Sequence, residues 1–214
     1  MNETRTFALG WSGGSGIAYG MRLLEVLLAG GHTVHLVASP AALRVLRHEA
    51  GVELDPARPD LAGLVRPELR ARLHVHDPAA VEAAPSSGSA AIAAVILCPC
   101  SMGTLARVAH GFSSNLLERA ADVALKEGRP LIVVPRETPL SPLHLRNMLS
   151  LAESGAVVLP AMPGFYHRPQ SVQDLVDFVV AKVLDRLGVA SPLIRRWATP
   201  PAPPASPWHE GEEP

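Results

Sequence analysis

The chain has 214 residues, of which 48% are apolar, so one domain with a single good core plus tails is the first expectation. Lysine and arginine (19) balance aspartate and glutamate (20), for a net charge of −1. That argues against a nucleic-acid footprint or an anionic-membrane binder, which both need clustered cations. The longest unbroken apolar run, Ala90 to Leu97, is too short to cross a bilayer, and Met1 to Arg5 does not lead into a signal-peptide core. The chain therefore reads as cytoplasmic.

Thr6 to Leu9 predicts a short strand that runs into Gly10-Trp-Ser-Gly-Gly-Ser-Gly16, after which Ile17, Met21, Leu24 and Leu28 keep helical spacing up to Gly30-Gly31. In such a strand, glycine loop and helix, backbone N–H groups can approach a phosphate and the helix N-terminus adds a favourable partial charge. The spacing is neither the dinucleotide G-x-G-x-x-G nor a P-loop with its lysine, so a mononucleotide phosphate fits better, with a ligand-free tight turn as the alternative. Thr33 to Val37 predicts the second strand, and Ser39-Pro40 caps a helix with Leu43 and Leu46 inward that ends at Gly51. Glu49, in its last turn, is a carboxylate at the electrostatically wrong end of a helix; a solvated side chain is the simplest explanation.

Asp55 to Leu73 is expected to be irregular with at most a short helix. His74 and His76 alternate on a probable strand, which puts them on one face without a third metal ligand in view. Ala90 to Leu97 reads as a buried strand leading into Cys98-Pro-Cys-Ser101, where Ser101 caps a helix through Thr104, Leu105 and Val108. The C-P-C spacing suits neither a zinc knuckle nor a C-x-x-C redox site and disfavours a disulfide, so the sulfurs read as reduced, packed hydrophobes. Asn115 and Glu118 form a capping-box pattern ahead of an inward stripe at Leu116, Ala120, Val123 and Ala124, and Arg119, Asp122 and Lys126 make a ladder of charges outside.

Leu131 to Val134 is a β-branched run fit for a strand buried on both faces, stopped by Pro135. Arg136 and Glu137 follow between two prolines, at the carboxyl end of a strand, where open α/β sheets bind ligands; a rim salt bridge is the plain alternative. Ser141-Pro142 starts a helix to Ser154, and Ala156 to Leu159 makes the last strand. Pro160 to Tyr166 is an apolar, proline-stiffened loop suited to an apolar substrate with one polar end, to a lid, or to a subunit contact. Ser171 caps a final helix with Val172, Leu175, Val179 and Val183 inward and Lys182 on the polar side. Residues 1 to 190 are thus one α/β domain: a three-layer, doubly wound, mainly parallel sheet of flavodoxin or Rossmann type. From 191 to 214 the chain becomes an arm and a proline-rich tail expected to be disordered, apart from any docking by Trp197 or Trp208.

Several long motifs in order, S-G-G-S-G-x-x-Y-G from Ser12, C-P-C-S-M-G-T from Cys98, N-L-L-E-R-A-A-D-V-A-L-K-E from Asn115, P-R-E-T-P-L-S from Pro135 and P-G-F-Y-H-R-P-Q-S from Pro163, make the chain resemble the UbiX/Pad family of flavin prenyltransferases. The resemblance runs from Phe7 to about Trp197. It implies that a dimethylallyl group from dimethylallyl monophosphate is joined to N5 and C6 of reduced FMN, without a metal, and that the product serves a UbiD-type decarboxylase. It also implies a homo-oligomer, a dodecamer with sites between subunits. On this resemblance Gly13, Gly14, Ser15, Ser39, Ser101, Met102, Gly103, Thr104 and Arg136 match FMN-contacting positions. Tyr166 and Lys182 match positions that hold the prenyl phosphate, with Lys126 and Arg119 adding charge. Glu137 matches the catalytic acid/base, and Ser15 with Glu49 a relay near flavin N5. The chain departs from the family pattern with S-G-G-S for T-G-A-S, with Lys182 where arginine also occurs, and with Gly128 where an arginine is common. Val81 lies in a segment where relatives place an aromatic. The rival expectations are a flavin-dependent decarboxylase of the same fold and a non-catalytic FMN-binding or cofactor-delivery subunit.

Overall fold

The computed structural model describes residues 3 to 55 and 57 to 194. Expectations for the tail beyond residue 194, Trp197 and Trp208 included, lie outside the described residues. Six strands alternate with helices: β1 (Thr6–Trp11), α1 (Ile17–Ala29), β2 (Thr33–Ala38), α2 (Pro40–Ala50), β3 (Leu73–His76), β4 (Ala94–Cys100), α3 (Met102–Ala109), α4 (Leu116–Lys126), β5 (Leu131–Pro135), α5 (Pro142–Glu153), β6 (Val157–Val158) and α6 (Val172–Leu187). Parallel neighbours need crossover connections, which the helices supply, and every strand pair is parallel, in the order β3-β2-β1-β4-β5-β6.

Both faces of the sheet are covered, which is why β4 and β5 are buried at every residue. Leu24 of α1, Leu46 of α2 and Val183 of α6 pack on one face with Leu9, Leu36, Ile96 and Val134. Leu105 of α3, Leu117 of α4 and Leu151 of α5 pack on the other with Val95, Leu97 and Val133. The helix starts follow local chemistry. The side chains of Ser39, Ser101, Asn115, Ser141 and Ser171 each accept a backbone N–H of the first turn, at Ala42, Thr104, Glu118, His144 and Asp174.

Two elements depart from the sequence expectation. β4 starts at Ala94 rather than Ala90 and continues through Pro99 to Cys100, with a register shift against β5 between Leu97 and Cys100. A proline gives no ladder donor, but the Pro99 carbonyl is put to use by the neighbouring loop, as described below. In α6 Val172 is 76% exposed; the buried stripe starts one turn later and runs through Val176, Val179, Val180, Val183, Leu184 and Leu187. The segment expected to be irregular holds only two short 3-10 turns, Ala62–Leu64 and Pro67–Arg72.

The strand order reverses direction between β1 and β4, so a crevice opens there at the carboxyl ends of the strands.

Candidate functional site

Two turns meet at that crevice, one after β1 and one after β4. Ser12, fully buried, donates from both its backbone N and its Oγ to the Pro99 carbonyl, at 3.1 Å each. Ser101 N donates to Ser12 Oγ at 2.7 Å. Gly14 sits against the same peptide: a Cβ there would lie 3.2 Å from Ser101 N and from the Cys100 carbonyl carbon. Gly13 is held on its other side by α2, since a Cβ would come within 2.7 Å of the Ala41 methyl. The glycines therefore serve close packing of three helix starts. Around them stand Ser39 Oγ, Ser101 Oγ, which also donates to Thr104 Oγ1 at 3.1 Å, exposed Gly103, and the nearly buried Met102 and Thr104.

Glu49 is exposed, but its carboxylate is anchored rather than free. Its carboxylate accepts Gly16 N at 2.8 Å and Ile17 N at 2.9 Å, so the last turn of α2 seats an anion on the N-terminus of α1. Burial pushes its pKa up, but the Ser15 hydroxyl, the two amides and the charge of Arg136 outweigh that and hold the carboxyl below its usual range. Ser15, Glu49 and Arg136, from three separate stretches of the chain, are thus in electrostatic reach of one another. Arg136 also acts on Tyr19, whose pKa burial raises, and it forms no salt bridge among the described residues. The rim salt bridge imagined between Arg136 and Glu137 is therefore not made. Among the described residues the Glu137 carboxylate accepts Thr138 N, at 3.1 Å, and lines a small depression of about 40 Å³ with Arg136, Pro160 and Met162.

Tyr166 and Lys182 gather around one ring. The Tyr166 ring stands edge-on to Phe178 at 5.6 Å, and Lys182 Nζ lies 5.5 Å from the same centroid. Arg119 and Lys126 are each paired on or beside α4. Arg119 pairs with Asp122 at 3.0 Å and Lys126 with Glu127 at 2.8 Å. Lys126 ends α4, just ahead of the amino end of β5, whereas the crevice is at the carboxyl ends of the strands.

Both cysteines are free and buried, which raises the thiol pKa of each, that of Cys100 to about 12. No nucleophile is available there. Sequence reasoning missed Ser12, although a serine directly after a strand and before two glycines is a usable signal. It also missed His35, which completes a stack with His74 and His76 at the sheet edge, its Nδ1 2.7 Å from His76 Nε2. The capping box expected of Asn115 and Glu118 is only half made: Asn115 accepts Glu118 N, but the fully buried Glu118 carboxylate accepts Ser114 N at 2.9 Å and binds Arg107 Nε, tying α4 to α3. Among the described residues no group of three or more His, Cys, Asp or Glu side chains is placed to hold a metal ion.

A doubly wound sheet with hydroxyls and amides converging on its switch point defines a nucleotide-binding α/β protein. The Flavoprotein family model matches residues 1–184. The flavin prenyltransferase UbiX of Pseudomonas aeruginosa is 48% identical over 201 residues, covering 92% of this chain and 96% of its own length. That of Methanothermobacter thermautotrophicus is 41% identical over 197 residues, covering 92% and 97%. Among solved structures, AnUbiX (PadA1) in complex with FMN and dimethylallyl pyrophosphate has a TM-score of 0.80 at 36% identity, covering 91% of this chain and 98% of that one. A dodecameric FMN-dependent UbiX-like decarboxylase from Escherichia coli O157:H7 has a TM-score of 0.80 at 40% identity, covering 90% and 98%. The chain belongs to the Flavoprotein family and, within it, to the UbiX flavin prenyltransferases.

Proposed function

We propose that this chain joins the dimethylallyl group of dimethylallyl monophosphate to N5 and C6 of reduced FMN, releasing phosphate and giving prenylated FMN for a UbiD-type decarboxylase. The observation that carries this reading is the meeting of Ser15, Glu49 and Arg136 at the crevice between β1 and β4. Reduced FMN, when bound, supplies the two nucleophilic atoms. Gly13, Gly14 and Ser15 with the starts of α2 (Ser39) and α3 (Ser101, Met102, Gly103, Thr104) form its cradle. Because Glu49 already occupies the N-terminus of α1, the starts of α2 and α3 are the better seats for its phosphate.

Arg136, without a carboxylate partner, is available to an anion. Breaking the allylic C–O bond leaves negative charge on the departing phosphate, and fixed cations there lower that barrier most. Tyr166 and Lys182 hold that phosphate, and Glu137 protonates it or takes the proton lost when the new ring closes. Ser15 and Glu49 relay the proton from N5. Lys126, the last residue of α4, sits away from its own crevice, so any charge it lends reaches the site of a neighbouring subunit, whereas Arg119 is in the first turn, held by Asp122. α5 supports such an assembly: it buries only Asn147 and Leu151, while Leu143, Leu145 and Leu149 are 60%, 52% and 58% exposed. We assign that face to contacts within a dodecamer in the cytoplasm.

A direct decarboxylase is the second reading, favoured by the description of the E. coli structure as an FMN-dependent decarboxylase. One anaerobic experiment separates the two: protein, reduced FMN and dimethylallyl monophosphate, followed by mass spectrometry for the prenyl adduct and by phosphate release. Both should appear together; release of carbon dioxide from an added carboxylate with no adduct would overturn the proposal. Glu137→Gln should slow turnover about 100-fold while FMN still binds; equal loss of FMN would make Glu137 structural.

A further inference from the structure

Beside the flavin crevice lies a hollow that the proposed reaction does not use. It measures about 650 Å³, within the range of small-molecule sites, and lies between α2, the segment after it and the end of β3. Its walls are apolar, with Leu43, Leu54, Leu61 and Val75 among them, and Val75 is 38% exposed although it belongs to the sheet. Arg44 and Arg58 stand at its edge, both exposed. Neither forms a salt bridge with any described residue, whereas Arg47 on the same rim is paired with Glu53 at 2.8 Å. The other rim carboxylate, Asp77, accepts Ala79 N at 2.8 Å. The hollow thus joins an apolar body to a rim of three guanidiniums (Arg44, Arg47, Arg58) and two carboxylates (Glu53, Asp77), on which Arg44 and Arg58 have no carboxylate within salt-bridge distance among the described residues.

We propose that this hollow is a second ligand site, for an apolar monoanion such as a medium-chain carboxylate, its chain against Leu61 and Val75 and its charge between Arg44 and Arg58. Area burial drives such a ligand in, and a guanidinium pair fixes its orientation through charge-assisted hydrogen bonds. An apolar cation would gain the first term and lose the second. The site shares a wall with the flavin crevice, since Ala38 and Pro40, which flank Ser39, both line it. It rests on none of the residues assigned to prenyl transfer.

The test titrates the assembled protein with 8-anilinonaphthalene-1-sulfonate and reads its fluorescence. One probe should bind per chain, decanoate should displace it, and decyltrimethylammonium should not. Val75→Trp, which fills the hollow from an already exposed position, should abolish probe binding. Arg44→Glu/Arg58→Glu should weaken it at least 10-fold. Both variants should bind FMN like the parent, which reports that they fold. Absence of saturable binding, as when a second copy of the chain covers the hollow, would overturn the proposal. So would equal displacement by the cation, or binding that both variants leave unchanged.

Discussion

The crevice between β1 and β4 and the outer side of α5 are built on opposite principles. At the crevice, polar groups are held by specific partners: Ser12 is fully buried yet makes three hydrogen bonds, and the exposed Glu49 caps a neighbouring helix. On α5 the pattern is inverted, with Asn147 buried and three leucines outside. A single chain can organise the first region by itself. The second is left unfinished, and on the proposed reading other subunits complete it.

The comparison predicts where damage will fall. Leu145→Asp/Leu149→Asp, at two exposed positions, should leave the fold of each chain intact but abolish assembly and reduce prenyl transfer more than 100-fold; sedimentation and the adduct assay check this together. A monomer that keeps full activity would break the comparison. Gly20→Ala should act on the other region and in the opposite sense. Its Cβ would lie 2.5 Å from the Cys98 carbonyl oxygen, so α1 must shift away from β4, costing about 2 to 3 kcal/mol in urea unfolding.

A pH effect comes next. Burial, then His76 and His74, lower the pKa of His35 to about 4 from a usual value of 6.5. The unfolded chain therefore binds more protons between those values, so stability is full above about pH 6.5 and falls as the pH drops toward 4, by roughly 1 to 3 kcal/mol for a partly exposed imidazole. His35→Gln should flatten that slope in thermal unfolding measured from pH 7 to pH 4. Smallest is Ser12→Ala, expected to cost about 1 to 2 kcal/mol and to loosen FMN binding several-fold, which equilibrium unfolding and a flavin titration would show.

Much of this was legible because it is local chemistry. The five capping side chains and the glycine helix stops depend on residues within a turn of one another, and the doubly wound class follows from strands and helices that alternate along the chain. Ser12 was not legible as a strut because its partners lie 87 and 89 residues away. His35 was hidden for the same reason: the register of β2 against β3 brings it opposite His74. The strand at Ala90 was misplaced because alanines fit a buried strand and a turn equally well, and Val172 because a helical period does not say where the sheet beneath it ends. Among the candidate site residues, the fold puts Ser15, Glu49 and Arg136 within electrostatic reach of one another, while Arg119 and Lys126 are paired with neighbours on or beside α4, and no spacing along the chain could have told these two situations apart.

The seat of Glu49 has a kinetic meaning. On the proposed reading, a carboxylate that the Ser15 hydroxyl, two amides and a nearby guanidinium hold below its usual pKa is a weak base, so a proton passed to it through Ser15 is held only weakly. Each protonation also takes the anion away from the head of α1, and that unfavourable state drives the proton onward. On the proposed reading Glu49 is a conduit rather than a store, and the turnover that passes through it returns α1 to its capped form before the next flavin arrives.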